Sequence, residues 1–436
     1  MAHGELQAGC ATADITPAPG IHMGGYWGRW CGAVDVHDAL EAKVLVFAQG
    51  GQKAGLVGLD LVALEAATVE RIRRRIQEEV GIAAEAIMIC CSHTHAGPLT
   101  IPFRGMGEVD PLYLQKVEDV VVQLVIRASD SLQGVQLAYR KVPVQVGFNR
   151  RWGHQKNGSD GAVAPYAHVV RIDGGEGQLA TLFSHACHPV VLGSANHRIS
   201  GDFAGAASRY IETRTQKPAL FINGACGDIN PRLTNGDFAA VEEIGAELGQ
   251  AVMGGLDTAE ALDAAGFHYR RETVRLPFLD PPSTARLQFD QLLLQAKMWM
   301  KKRTKDGGDL WKLRVPQAYL DWTRAMLSMA RSGDGDGFQA FEIQGLRIGS
   351  LILLGMEGEI FVRYQLDLEM LAPRHVTMLC GFANGCIGYV PTADEYVHGN
   401  YEVETAYKVY PSVQMIAPES EALIRGKAEA VLAELS

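Results

Sequence analysis

The stretch Met88-Ile-Cys-Cys-Ser-His-Thr-His-Ala-Gly-Pro98 constrains this chain more than any other. From Ala86 to Cys91 the residues form a short apolar run, which suits a buried strand. Gly97-Pro98 stops regular structure just beyond it. His93 and His95 therefore stand at the strand's carboxyl end. If the backbone stays extended there, side chains two apart point to the same side, and both imidazoles face one pocket. A pair of surface histidines in a loop is the competing reading.

Other strands lead into similar sequences. Gln178 to His185 reads as the second arm of a hairpin begun at His168 to Ile172, and it ends in Ser184-His-Ala-Cys-His-Pro189. Pro218 to Ile222 runs into Asn223-Gly-Ala-Cys-Gly-Asp-Ile-Asn-Pro231. A hairpin of Phe338 to Ile343 and Leu346 to Leu354 delivers Gly355-Met-Glu-Gly-Glu359. Two strands are expected within Val135 to Val146. They precede Gly147-Phe-Asn-Arg-Arg-Trp-Gly-His154, whose positive pair could meet an anionic group. Helices are expected over Glu65 to Val80, Asp110 to Arg127 with Pro111 in its favoured first turn, Asp237 to Val252, and from Ser420. Asp202 opens another and reads as its N-cap.

The predicted fold is α/β: mixed open sheets with flanking helices and an active site at the strands' carboxyl ends. The 436 residues are read as one large catalytic domain (1–436), with a helical hairpin inserted at 282–332. That hairpin carries Met298, Trp299, Met300, Trp311, Tyr319, Trp322, Met326 and Met329, a spacing that suits core packing, a substrate wall or an oligomer contact. A net charge of −10 gives no overall attraction to nucleic acid. No window approaches the roughly 18 apolar residues of a spanning helix, and the first residues lack the pattern of a signal peptide, so a cytoplasmic location is expected. Eight cysteines without a C-x-x-C pair read as reduced, buried thiols.

In open α/β sheets, ligands bind beyond the carboxyl ends of the strands. Loops 92–98, 184–189, 223–231 and 355–359 are accordingly expected to share one pocket, holding three or four histidines, Asp202, Asp228, Glu357, Glu359 and an arginine. Histidine and carboxylate without cysteine pairs suit a catalytic zinc site. Spacing alone does not select the ligands.

Several separated motifs then agree in order: Asp14-Ile-Thr-Pro, Leu59-Asp-Leu-Val, Ser92-His-Thr-His-Ala-Gly-Pro, His188-Pro, Gly227-Asp-Ile-Asn-Pro, Gly358-Glu and Gly388-Tyr-Val with Tyr401-Glu. Together they resemble the neutral/alkaline non-lysosomal ceramidase family of zinc amidases, across almost the whole chain. The resemblance implies that Zn2+ is held by His93, His188, Glu359 and Tyr389. It makes His95 the acid/base group and places Arg150 and Tyr401 over the scissile carbonyl of a small-molecule amide. Asn230 stands where the family carries an active-site serine, which excludes a serine nucleophile there. The family's C-terminal β-sandwich has no counterpart in the chain. Two alternatives accompany the amidase reading: a metal-dependent ester, lactone or phosphoester hydrolase, and a non-catalytic ligand-binding relative.

Overall fold

Three sheets hold most of the described strands, and each has a parallel pair of strands whose carboxyl ends point toward one junction. The structure is a computed structural model that describes residues 4–29, 31–151, 161–303, 313–332 and 337–436, with 300–303 described in backbone only. The expected loop residues 152–160, including His154, lie outside these, as do Trp30 and Trp311.

The first sheet contains β1 (Gln7–Asp14), β2 (Glu41–Gln49), β3 (Gln52–Leu59) and β4 (Ile87–Cys91), in spatial order β4-β3-β2-β1. The β4 run Ile-Met-Ile-Cys-Cys is buried throughout and pairs in parallel with β3, as near-continuous apolar strands do when both faces are covered. Helix α1 (Ala66–Val80) makes that crossover, and α2 (Pro111–Asp130) packs on the same sheet. In α2, Asp110 caps by accepting from the Leu112 and Tyr113 N–H groups, and Pro111 occupies the first turn as expected.

The second sheet contains β5 (Gln136–Pro143), β6 (Tyr166–Gly174), β7 (Gly177–His185) and β8 (Ala219–Asn223), in order β8-β7-β6-β5, with the short segment Glu260–Ala261 at the edge beside β5. The two strands expected within 135–146 are therefore one. Helices α3 (Asp202–Thr215) and α4 (Phe238–Asp257) pack together beside this sheet. Asp202 is not the N-cap of α3: that place belongs to Gly201, and Asp202 has a φ of 54°.

The third sheet runs β9 (Phe267–Pro277), β10 (Phe338–Ile348), β11 (Leu351–Met356) and β12 (Val376–Cys380). Helices α5 (Thr284–Arg303) and α6 (Arg314–Ser332) fill the expected insertion between β9 and β10. The β10–β11 turn lies at Gly349, with φ of 61°, and not at 344–345. Short helix α7 (Val362–Leu368) follows the Glu359 segment, and α8 (Ser420–Leu435) packs on β9 and β10. Among the described residues, no helix is long and apolar enough to cross a membrane.

The three carboxyl-end loops are bonded directly to one another. The Asn223 side chain, at the end of β8, donates to the Ser92 and Cys187 carbonyls at 2.9 and 3.1 Å. Gly381 N–H donates to Asn223 O at 2.9 Å, and Cys91 N–H donates to Phe382 O at 3.2 Å. A buried amide that joins three strand ends leaves little freedom at the junction.

Candidate metal centre

All four expected loops reach this junction, and three of them supply its histidines and carboxylate. His93, His95 and His188 each offer a nitrogen within 4.8 Å of the others. His93 and His95 meet through their Nε2 atoms at 3.0 Å. His188 Nε2 lies 3.0 Å from Glu359 Oε2, and His93 Nε2 lies 3.7 Å from the same oxygen. The approach is not the extended one expected from the sequence: His93 has a φ of 67°, a left-handed conformation that costs a non-glycine residue about 1–2 kcal/mol. Bonds from Ser92 N–H to Leu59 O and from His93 N–H to Leu61 O hold that kink in place. Phe382 stacks on the His93 ring at 3.9 Å between centroids.

The rear nitrogens separate the histidines. His93 Nδ1–H donates to Val62 O at 2.6 Å, and His188 Nδ1–H donates to Cys226 O at 2.6 Å. A proton fixed on Nδ1 leaves Nε2 with a lone pair directed into the cluster, the second-shell arrangement typical of metal-binding histidines. Burial lowers both pKa values to about 3, so the rings stay neutral. The lone pair of His188 therefore faces a carboxylate oxygen at 3.0 Å. Such a contact calls for a cation or a proton between the two atoms. These residues thus fit a zinc ion in donor type and in orientation. His95 differs, because its Nδ1 is buried with no hydrogen-bond partner among the described residues.

Glu359 is placed by a two-residue parallel ladder in which Glu359 pairs with Tyr389 and Ile360 with Val390. Its second oxygen accepts from the Tyr410 hydroxyl. Burial raises the carboxyl pKa, while His93 and Arg150 oppose that shift. The Tyr389 hydroxyl accepts from Arg150 Nη2 at 2.8 Å. Arg150 directly follows a second short ladder, Gly147–Asn149 against Ile229–Pro231, which also contains Asn230. Asn230 Oδ1 accepts from Arg150 Nη1 at 2.9 Å, Gly227 O accepts from Nη2 at 2.8 Å, and Glu402 accepts from Nε at 3.0 Å. Burial works against the Arg150 charge, but Tyr389, Glu402 and Glu359 outweigh it and raise its pKa.

Of the positive pair Arg150-Arg151, the second is therefore not open to an outside anion, while Arg150 borders an open space with one N–H unused. Arg151 is fully buried and bonded to Glu395 at 2.8 Å and to Glu402. Three carboxylates expected in the pocket instead serve the scaffold. Asp202 accepts from the Val191, Leu192 and Phe203 N–H groups. Asp228 accepts from Val362 N–H and Asn149, and Glu357 accepts from Glu342 N–H. Tyr401, in a five-residue π-helical turn (Tyr401–Thr405), borders the cluster with its ring 5.8 Å from that of Tyr389. Sequence reasoning missed Tyr410 and Phe382, which lie in no metal-ligand pattern. The Gly381-Phe-Ala-Asn-Gly385 loop was the only local hint of the second.

The resemblance seen in the motifs is borne out by known proteins. The chain is 25% identical to a neutral ceramidase of Pseudomonas aeruginosa over 90% of its own length and 68% of that protein. It is 22% identical to a neutral ceramidase of Mycobacterium tuberculosis over 97% of its length and 78% of that protein. A shorter match, 26% identical, links 47% of the chain to 29% of neutral ceramidase 2 of Arabidopsis thaliana. The structure superposes on the crystal structure of the Pseudomonas aeruginosa neutral ceramidase with a TM-score of 0.76, at 20% identity, over 99% of this chain and 74% of that one. A ceramidase complexed with C2 gives a TM-score of 0.72 at 18% identity. The fold is therefore that of the neutral ceramidases. No protein-family model matches the chain.

Proposed function

We propose that this protein is a zinc-dependent hydrolase of linear N-acyl amides, with water as the attacking group. The observation that carries the reading is the set of inward lone pairs on His93, His188 and Glu359, backed by the Val62 and Cys226 carbonyls and the Tyr410 hydroxyl. The relatives are named for ceramidase activity, the cleavage of an N-acyl lipid amide. A zinc ion held there would polarise a carbonyl and bring the pKa of a water toward about 7. His93, His188, Glu359 and Tyr389 are the residues assigned to hold it.

The remaining residues have roles their bonding supports. Four of the five guanidinium N–H donors of Arg150 are taken, by Glu402, Asn230, Gly227 and Tyr389, which leaves one on Nη1 for a substrate carbonyl. With the Tyr401 hydroxyl it would stabilise the oxyanion as the tetrahedral centre forms, a contribution of order 10²–10³ in rate. His95 carries no carbonyl on Nδ1 to fix its tautomer, so it is assigned to proton transfer. It would take a proton from the attacking water and return one to the leaving amine. Asn230 cannot attack a carbonyl; its oxygen orients Arg150 instead.

Zinc analysis and turnover of three variants test this division. His93→Ala and His188→Ala should lose zinc, whereas His95→Ala should keep it and lose about 10²–10⁴ in kcat. Equal zinc loss in His93→Ala and His95→Ala would overturn the assignment. Turnover of esters or phosphoesters only, in a panel that includes N-acyl amides, would overturn the amidase reading.

A further inference from the structure

Helix α5 has two apolar faces, and the fold covers one of them. Leu287 packs with Trp322, Met326 and Leu327 of α6, and Leu294 and Met298, on the same side of α5, are half-buried. On the other side Ala285, Phe289, Leu292, Leu293, Ala296 and Trp299 are all exposed, Phe289 at 60%, Leu292 at 66%, Leu293 at 40% and Trp299 at 58%. At 3.6 residues per turn this second stripe is centred about 180° from the first. A helix that is apolar on both sides calls for cover on both. Helix α6 makes the contrast, because its exposed positions Arg324, Ser328 and Arg331 are polar.

The outer stripe itself describes what would cover it. Ala285, Phe289, Leu292, Ala296 and Trp299 follow one another in steps of four and three, the spacing of a face that packs along another helix. Their sizes then favour a copy of the same helix running the other way. Turned about a two-fold axis beside Leu292, the second copy sets its Trp299 across from Ala285, its Ala296 across from Phe289, and its Leu292 across from Leu292. Large therefore meets small along the whole contact, as close packing requires. A parallel copy would oppose Phe289 to Phe289 and Trp299 to Trp299, with voids between paired alanines. A lipid surface makes no demand for either the spacing or the alternation of sizes.

Charge and area agree with this pairing. Antiparallel helices oppose their dipoles, and they hold the two Lys297 residues about 15 Å apart along the axis, where a parallel pair would set them side by side. Exposed Gln288 and Gln295 flank the stripe with amides that give and take hydrogen bonds across the rim. A Phe or Trp buries about 150–250 Å², so at these exposures the two aromatics of both copies supply roughly 350–600 Å². The leucines and the rim bring the total to about 1,000 Å², the lower bound for a specific interface.

We propose that the outer face of α5 is a self-association surface through which the protein forms a two-fold, antiparallel dimer. The proposal is independent of the amide-hydrolase reading. The hairpin joined in this way also reaches the metal centre, since Arg314 of α6 donates to Arg29 O and Arg29 Nη2 donates to His95 O.

Sedimentation velocity of the full chain from about 1 to about 200 µM covers the range in which an interface of this size dissociates. A reversible dimer is expected. Leu292→Glu, which sets two carboxylates face to face on the axis, should weaken it at least about tenfold and leave the urea midpoint unchanged. Direction is read by disulfide cross-linking with diamide: a mixture of Phe289→Cys and Ala296→Cys copies should give a linked dimer above the wild-type background, and neither variant alone should. A monomer throughout the concentration range would overturn the proposal. So would a dimer that Leu292→Glu leaves intact, or cross-linking of Phe289→Cys with itself. Vesicles of phosphatidylcholine and phosphatidylglycerol that capture a protein forming no dimer, with capture lost in Leu292→Glu, would assign the stripe to a lipid surface instead.

Discussion

Gly25 gives the sharpest test of the role assigned to His95. Its φ is 92°, which side-chain-bearing residues rarely adopt, and a Cβ added there would stand 2.4 Å from both Cγ and Nδ1 of the His95 ring. An ordinary carbon contact is about 3.5 Å, so in Gly25→Ala the ring must retreat by about 1 Å or the loop must give way. The ring has little freedom. Its backbone N–H donates to Pro189 O at 3.2 Å, Arg29 Nη2 donates to its carbonyl at 2.5 Å, and Tyr26 lies edge-on at 5.1 Å. A displacement of about 1 Å at a proton-transfer group costs on the order of 10²-fold in rate, and overpacking adds about 1–3 kcal/mol of destabilisation. The three atoms nearest the added methyl all belong to His95 and none to His93, His188 or Glu359. Gly25→Ala should therefore keep its zinc, lose about 1–3 kcal/mol in urea unfolding, and lose about 10²-fold in kcat on an N-acyl amide. Wild-type kcat would refute the role of His95. Loss of zinc together with activity would refute its separation from the metal ligands.

Two further predictions concern stability. Arg151→Met removes the buried guanidinium that Glu395 and Glu402 share, leaving Glu402 with Arg150 as its cation, and should lower unfolding stability by about 3–5 kcal/mol. The double variant Arg151→Met/Glu402→Gln should recover part of that loss, and an unchanged urea midpoint in the single variant would sink the argument. Burial pushes the Asp202 pKa from 3.8 up to about 6 against three backbone N–H donors. An acid raised in the folded state contributes most below its unfolded pKa, and that contribution fades as pH climbs through the folded value. Between pH 3.8 and 6 this group should thus lower stability by about 1.4 kcal/mol per pH unit. Asp202→Asn should flatten the slope, and identical slopes for the two proteins would disprove the attribution.

Local pattern carried the sequence reading wherever a residue's neighbours in sequence decide its state. Apolar runs marked β4, β7 and β8, Asp110-Pro111 marked the start of α2, and the strand ends pointed to His93, His188 and Glu359. Gly345 shows where this fails. A glycine amid apolar residues suggested a turn, yet it lies within β10. A Cβ there would fall 2.2 Å from Leu435 Cδ1, so the glycine serves the approach of α8. The pair Arg150-Arg151 fails in the same way: its partners Glu395 and Glu402 lie more than 240 residues away, and without them two adjacent arginines look free to bind an anion.

The candidate site divides along that line. Histidine and carboxylate at strand ends are legible because a strand's direction fixes where its end points. What orients them is supplied by loop segments elsewhere in the chain: the Val62 and Cys226 carbonyls, Tyr410 behind Glu359, and Phe382 on the His93 ring. The contrast between a fixed His93 and a His95 without a partner on Nδ1 exists only after the sheets have met. An H-x-H pair at a strand end thus announces a pocket, and the backbone carbonyl behind each ring decides which histidine is a ligand.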